Sequence, residues 1–453
     1  MSTVPEGHVE LADGVCGDRD NAYFPLFIPE SYLRREAEHV EGFSPELAVV
    51  THAGGKQLDE PVVVRPTSET IINSFFSRWV QSYRDLPMKL NNWSTVVRWE
   101  MRPRVFLRTT EFLWQEGHTC HATEAEARVH AREVLDDVYG AFMTDVLAIP
   151  IVQGRKTARE RFAGATNTLT CEAMMGDGKA LQMGTSHELG QNFARAFDVQ
   201  FLAPSGQREY VWQTSWGVST RMVGGLIMCH GDDAGLRVPP RLAPVQAIVL
   251  VVKDDQQVRG QAHRIVGELR DAGVRVMLDE HTDVSFGRRA IDAELKGIPV
   301  RVELGPRDVA AGKAVLVRRI PGTKEPVALT AVVPETKAAL GADQQTLYNQ
   351  ALARREVASP HVESIDEGTR LSDPRLGSYP LVSTRRAGRG ADHGRTRRRR
   401  SRAYSSVPSP AGNTRMSTRR SSANRAERTC PAKLIARGGC PASPFDLFRD
   451  LIG

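Results

Sequence analysis

Long apolar runs are missing from this sequence. No window approaches about 18 consecutive apolar residues, so no membrane-spanning helix is expected. The opening residues, MSTVPEGHVELADG, have neither a basic start nor an apolar stretch and do not read as a signal peptide. Cysteine is sparse, and Cys16, Cys120, Cys171, Cys229, Cys430 and Cys440 include no close pair. A structural zinc site needs Cys or His ligands a few residues apart, so no zinc and no protein-held metal is expected. A chain this long also needs no disulfide staples. The expectation is a soluble, cytoplasmic protein without membrane contacts.

What is present is more informative. The 453 residues leave room for about three domains, and 41% hydrophobic with 25% charged residues is ordinary for a globular chain. The net charge of +6 conceals an asymmetry. Between Arg385 and Arg428 there are fourteen Arg against Asp392 and Glu427, a local +12 that leaves −6 for the remainder. The basic balance therefore reports a tail, and is no argument for nucleic-acid binding by the folded part.

Composition and pattern divide the chain into an unpatterned segment at 1–20, a mixed region at 21–244, an α/β region at 245–345, a helical connector at 346–365 and a tail at 366–453. In the α/β region, Gln246 to Val252 is a nearly continuous apolar run, as in a strand buried on both faces. Val258, Ala262, Ile265, Val266 and Leu269 then recur at helical spacing up to Gly273, a natural stop. A strand at 274–279, a helix at 288–296 and strands at 299–304 and 314–319 complete a small domain expected to hold a largely parallel sheet. The tail lacks aliphatic periodicity and is expected to be disordered, with RTRRRR (395–400) read as a solvated stretch and RNA binding as the alternative.

The stretch VVRWEMRPRVFLRTTEFLWQEGHT (96–119) is the richest in chemistry. With strand periodicity, Arg98 and Glu100 share a face, as do Phe112, Trp114, Glu116 and His118 in the following run, and one face of the paired strands would carry all six. A loop holding Pro103 joins the two runs, which predicts an antiparallel hairpin. A solvent-facing polar side would explain the charges but not the aromatics among them. A ring for stacking, cations for phosphates and carboxylates for an ammonium instead suit a nucleotide or amino-acid pocket.

These residues also carry a resemblance. R-x-E, a basic loop and R-x-x-x-F (Arg98, Glu100, Arg108, Phe112) match motif 2 of the class II aminoacyl-tRNA synthetases. FLRTTEFLWQEGHT resembles the prolyl branch, in its archaeal and eukaryote-like form. VVRPTSET (63–70), LQMGTSHELGQNF (181–193) and TSWGVSTRMVGGLIMCHGDDAGLRVPPRLAP (214–244) agree in order and spacing, the last containing the motif 3 arginine, Arg221. The blocks span about half the chain, and the α/β region resembles the family's anticodon-binding domain.

The resemblance implies an α+β class II catalytic domain, an antiparallel sheet with helices, followed by an α/β anticodon-binding domain. It implies a ligase that uses ATP with Mg2+ to activate L-proline and transfers it to tRNA(Pro). By family analogy Arg98 would bridge the α-phosphate and the proline carboxylate, and Arg98 and Arg221 would carry the catalytic role. Arg108 and Arg221 would hold the distal phosphates, Phe112 would stack beneath adenine and Glu100 would accept from its amino group. Thr109, Gln182, Thr185 and Ser219 would complete the ATP site. Thr67, Glu69, Trp114, Glu116, His118 and His187, with Arg98, would form the proline pocket. Glu303, Arg307 and Asp308 are the candidates for reading the anticodon, where bases are recognised by stacking and edge hydrogen bonds. The Phe112 to Gln182 spacing leaves no room for the family's editing insertion, so no editing in cis is expected, and an apolar pocket would reject alanine or cysteine poorly.

Three departures qualify the match. The pattern begins at Asn21 without the segment that carries motif 1 and builds the family's homodimer, so that assembly is in question. It fades near Glu367, before the C-terminal domain that in relatives often ligates zinc, and misread reading frames at both ends are one explanation. In the motif 2 loop, Pro103 and Val105 stand where relatives usually have Thr and Pro. Two other readings stay open at this point: a catalytically impaired synthetase-like protein that binds proline, ATP or tRNA, and an RNA-binding protein driven by its Arg-rich tail.

Overall fold

The computed structural model describes residues 20–33, 35 and 47–359. Its strands are β1 (Asp20–Asn21), β2 (Phe27–Pro29), β3 (Ala48–Ala53), β4 (Lys56–Val64), β5 (Met88–Val97), β6 (Glu111–His121), β7 (Ile151–Arg155), β8 (Asn167–Met174), β9 (Ala180–Gly190), β10 (Gln200–Leu202), β11 (Arg208–Tyr210) and β12 (Trp212–Ser219) in the first unit. The second unit holds β13 (Ala247–Val251), β14 (Val276–Asp279), β15 (Val300–Leu304), β16 (Lys313–Arg318) and β17 (Thr323–Ala328). The helices are α1 (Glu30–Leu33), α2 (Glu69–Trp79), α3 (Glu124–Glu133), α4 (Asn192–Phe197), α5 (Arg221–His230), α6 (Gln256–Asp271), α7 (Phe286–Leu295), α8 (Pro306–Ala310) and α9 (Val332–Ala358).

The first unit is built on a seven-stranded sheet ordered β1-β5-β6-β12-β9-β8-β7, antiparallel except for the short β1–β5 pair. Apolar residues cover both faces, which is why the central strands have buried residues on either side. On one face α2 and α4 contribute Ile71, Ile72, Phe76, Phe193 and Phe197 to a core shared with Ile28 and Val63 of a small β2-β4-β3 sheet. On the other, α3 runs on through two wide π-type segments, Val134–Gly140 and Phe142–Val146. These deliver Leu135, Tyr139 and Met143 to a core with Trp216, Met222 and Leu226. Tyr139 donates its hydroxyl to Gln115 on the back of β6, so the widened turn joins the helix to the sheet's central hairpin.

That hairpin differs in one respect from its expected form. The strand was to carry Arg98 and Glu100, but β5 stops at Val97. The ladder gives one further bond, from the Arg98 amide to Thr110 O at 2.8 Å. Glu100 Oε1 then accepts the Arg102 amide at 2.8 Å, a local side-chain bond that replaces the ladder and turns the chain.

In the second unit β14, β13 and β15 are parallel, but β15–β16 and β16–β17 are antiparallel. The expected largely parallel sheet is therefore corrected to a mixed one. The crossovers through α6 and α7 enforce parallel pairing, whereas β16 and β17 are joined by a tight turn. Strand β17 went unseen because TKEPVA carries charges and a proline, and as an edge strand it tolerates both. Helix α9 starts inside this unit and runs 27 residues without a break, so the connector, described as far as Ser359, is largely its second half. The Arg-rich stretch expected at 366–453 and the segment 1–19 lie outside the described residues.

Candidate active site

Strand order brings distant motif blocks together. Glu69 is the first residue of α2, Arg98 leaves β5, Phe112, Trp114 and Glu116 lie on β6, Thr185 and His187 on β9, Ser219 ends β12, and Arg221 opens α5. One cleft is lined by Thr67, Glu69, Arg98, Phe112, Trp114 and Glu116, with Gln182, Thr185, His187, Ser219 and Arg221 closing its far side. A second hollow, lined by Glu100, Arg108 and Thr109, shares Arg98, Phe112, Ser219 and Arg221 with the first. The two are one continuous trough with an acidic end and a cationic end.

At the acidic end two carboxylates are held in dry surroundings. Glu69 accepts from Thr67 Oγ1 and, at 3.0 Å, from Ser215 Oγ. Glu116 accepts from Ser68 Oγ, from Asn92 Nδ2 at 2.8 Å and pairs with His118 Nε2 at 3.1 Å. Ser68 precedes α2 and would ordinarily cap it, yet it makes no cap bond because its hydroxyl serves Glu116. Such networks fix the carboxylates in place.

His118 does not line the trough; it stands behind Glu116, 2% exposed. Burial alone would lower its pKa, but the hydrogen bond and charge of Glu116 outweigh burial, and the pKa is raised. His187 behaves oppositely. Burial dominates and its pKa falls to about 4, with the charges of Arg98 and Lys156 contributing. The neutral ring is held between Thr168 Oγ1 at 3.0 Å and Thr185 Oγ1 at 3.2 Å, and stacks on Phe162 at 4.5 Å.

At the cationic end Arg98 donates Nε to Pro66 O at 3.0 Å, and its guanidinium lies 5.5 Å from the Phe112 ring and 5.6 Å from Trp114. The two rings meet edge-on at 5.9 Å. The cation is thus aimed by stacking as well as by hydrogen bonding. Arg108 pairs with Glu100 at 3.1 Å. Arg221 donates Nε to Leu107 O at 3.1 Å. Burial, and then the charge of Arg108, push its pKa down. A cation at a helix N-terminus opposes the helix dipole; one placed there beside another arginine marks a position built for an anion.

Several contributors were not singled out from the sequence. Ser68 and Ser215 sit inside motif blocks, and Ser215 shares the strand face of Ser219 by alternation, a signal that could have found it. Lys156, Glu160 and Phe162 also line the cleft from the segment between β7 and β8, which has no periodicity to betray them. In the second unit, Glu303 is buried and paired with Arg301 at 2.8 Å and Lys324 at 2.7 Å, while Arg307 on α8 is exposed and Asp308 half-buried.

Comparison with known families gives the constellation a context. The class II core domain of tRNA synthetases (G, H, P, S and T) matches residues 52–229, and an anticodon-binding domain matches residues 246–338. A proline–tRNA ligase of Frankia casuarinae is 63% identical over 360 residues, which is 80% of this chain and 77% of the relative. The chain belongs to the proline–tRNA ligase family. Proline–tRNA ligase 2 of Streptomyces avermitilis is 64% identical over 347 residues, covering 77% of this chain and 74% of that one. Among solved structures, the prolyl-tRNA synthetase of Cryptosporidium parvum, complexed with halofuginone and AMPPNP, is similar with a TM-score of 0.74 at 38% identity. That likeness spans 78% of this chain and 72% of the other. The fold described above is accordingly that of a class II synthetase core followed by an anticodon-binding domain.

Proposed function

We propose that the trough carries both steps of proline–tRNA ligation, with proline at the acidic end and ATP at the cationic end. The chain is an ATP-dependent aminoacyl-tRNA ligase that acts on proline, ATP and tRNA. The residue roles below are the proposal. Two anions must meet: a proline carboxylate oxygen attacks the α-phosphorus, and the bond to pyrophosphate breaks. Catalysis then consists of positioning and of cations aimed at the charge developing on phosphorus.

The observation that carries this reading is that Arg98 lines both hollows, its guanidinium aimed by Pro66 O and two aromatic rings. There its fork bridges the α-phosphate and the substrate carboxylate, a geometry that lysine cannot reproduce. Glu69 and Glu116 hold the secondary ammonium of proline, and Trp114 with Phe162 walls its ring. Thr67 and His118 act on these carboxylates from behind, and His187 stays neutral so that it adds no repulsion beside the ammonium. Phe112 stacks on adenine, Glu100 and Thr109 face its edge, and Arg108 and Arg221 hold the distal phosphates. Gln182, Thr185 and Ser219 close the nucleotide from the β9 and β12 side. In the second step a hydroxyl of the terminal tRNA ribose attacks the prolyl carbonyl and AMP leaves.

ATP enters with Mg2+. A magnesium held by phosphate oxygens would keep most of its waters; Glu100 is engaged by the Arg102 amide and Arg108, and Thr109 by Glu111 O, so neither is assigned to the ion. When bound it supplies further neutralisation of phosphate charge. Arg307 and Asp308 are proposed as anticodon contacts, with Glu303 ordering Arg301 and Lys324 beneath them. Among the described residues no helix is long and apolar enough to cross a membrane. By family membership we place the enzyme in the cytoplasm.

Pyrophosphate exchange dependent on proline tests the reading. The chain exchanges, and Arg98→Lys exchanges about a hundredfold more slowly or worse, the loss expected for one fixed transition-state donor. No exchange above background by the unsubstituted chain overturns the proposal and favours a binding-only protein.

A further inference from the structure

Helix α5 is the element that aims Arg221, and it is pinned at both ends. At its start the Thr220 amide donates to Leu113 O at 3.1 Å, and Gly224 lies so close to the hairpin loop that a Cβ would meet Leu107 Cδ2 at 2.5 Å. At its end the Gly176 amide donates to Met228 O at 2.9 Å, and His230 Nε2–H donates to Leu147 O at 2.9 Å. The remaining restraint comes from elsewhere in the chain. Arg354, 125 residues away on α9, donates Nη2 to Cys229 O and lies 3.7 Å from Cys229 Sγ.

The helix that carries Arg354 is shared between cores. Val332, Ala339 and Leu340 of α9 belong to the core of the second unit, Leu347 to a small cluster with Ala148 and Ile320, and Ala351 to the core beneath the active-site sheet. Its next residue, Arg355, donates Nη1 to Ile151 O on β7 at 2.9 Å, and so ties the same helix to the sheet. A guanidinium on the last carbonyls of a helix satisfies an orphan acceptor and opposes the negative end of the dipole. Eight residues upstream of Cys229, at the positive end, stands Arg221.

We propose that Arg354 is a positioning residue for ATP: it seats the C-terminal end of α5, and through that rigid helix the docking of the anticodon-binding unit sets the aim of Arg221. This rests on Arg221 holding the nucleotide phosphates. Two faces of α5 are already close-packed, with Gly225 against Met183 and Gly224 against Leu107. Loosening the end therefore tilts the helix rather than letting it repack, and the displacement appears at its other end.

The test is steady-state pyrophosphate exchange with ATP and proline varied separately, on Arg354→Ala, Arg354→Lys, Arg355→Ala and Arg221→Ala, each checked for folding by thermal unfolding. Arg354→Ala should raise the KM for ATP about threefold to tenfold, the scale of one charged helix-end interaction, with the KM for proline unchanged. Arg354→Lys should recover most of this loss, and Arg355→Ala should not show it. If Arg354→Ala does not fold, Arg354→Gln against Arg355→Gln gives the same comparison. Equal effects at 354 and 355, or an unchanged KM for ATP at 354, overturn the inference. An unchanged KM for ATP in Arg221→Ala instead overturns the role assigned to Arg221, so the two failures are distinguishable.

Discussion

Individual side chains here are specified by what lies behind them. Glu116 is held by Ser68, Asn92 and His118, and Arg98 by a carbonyl and two rings. The buried histidines show how the same residue type is sent opposite ways. His118 faces a carboxylate and its pKa rises, so it adds stability below about pH 6.5 that is lost as pH climbs through its folded value. His187 and His230 are desolvated and fall to about 4. In the folded chain they stay neutral where the unfolded chain takes up protons, so stability falls as pH drops from about 6.5 toward 4. His230 lies outside the trough, at the opposite end of α5 from Arg221. His230→Gln keeps a donor for Leu147 O and should flatten the decline in unfolding temperature over that window. A decline as steep as in the unsubstituted chain would contradict the assignment.

Among the elements, the β6–β12 pair depends on one missing side chain. Gly117 faces Trp216 across the ladder, and a Cβ on it would lie 2.0 Å from Trp216 Cζ2. The indole is fully packed, 2% exposed, and has nowhere to retreat. Gly117→Ala should cost about 1–3 kcal/mol by overpacking, read from urea unfolding, and it should disturb the neighbours Glu116 and His118 enough to raise the KM for proline. Wild-type stability would mean that the strands separate more easily than their packing implies. The glycine is visible in the sequence as part of WQEGHT; that its partner is Trp216, ninety-nine positions on, is a matter of strand order.

At the scale of the whole molecule, α9 joins the two units. Arg237 reaches Gln350 at 2.8 Å, Gln344 reaches Asp145 O at 2.8 Å, and the buried Asp343 pairs with Arg318. Leu347, with no exposed surface, fills the seam beside Ala148 and Ile320. Leu347→Ala should cost about 2–5 kcal/mol. Because the lost packing lies between units and not within either, calorimetry should show one unfolding transition parting into two. A single transition merely shifted to lower temperature would show that the seam does not couple them.

The sequence by itself determined the family, the ligase chemistry and the class II architecture. These rest on local patterns: R-x-E with R-x-x-x-F, the WQEGHT and PTSET blocks, and period-two alternation that put Phe112, Trp114, Glu116 and His118 on one face. Such patterns survive in one dimension because each is read within a single strand or turn. Tertiary structure alone decided what depends on the order of strands and the packing of distant helices. It placed His118 behind Glu116 rather than in the trough, ended β5 before Arg98, and added Ser215, Lys156 and Phe162 to the lining. It made the second sheet mixed, and it set Arg354 on the end of α5. Apart from Ser215, which alternates with Ser219, and the end of β5, set by the local bond from the Arg102 amide to Glu100, these leave no local signature, because their proximity is set by the hydrophobic burial of whole elements and not by their own spacing.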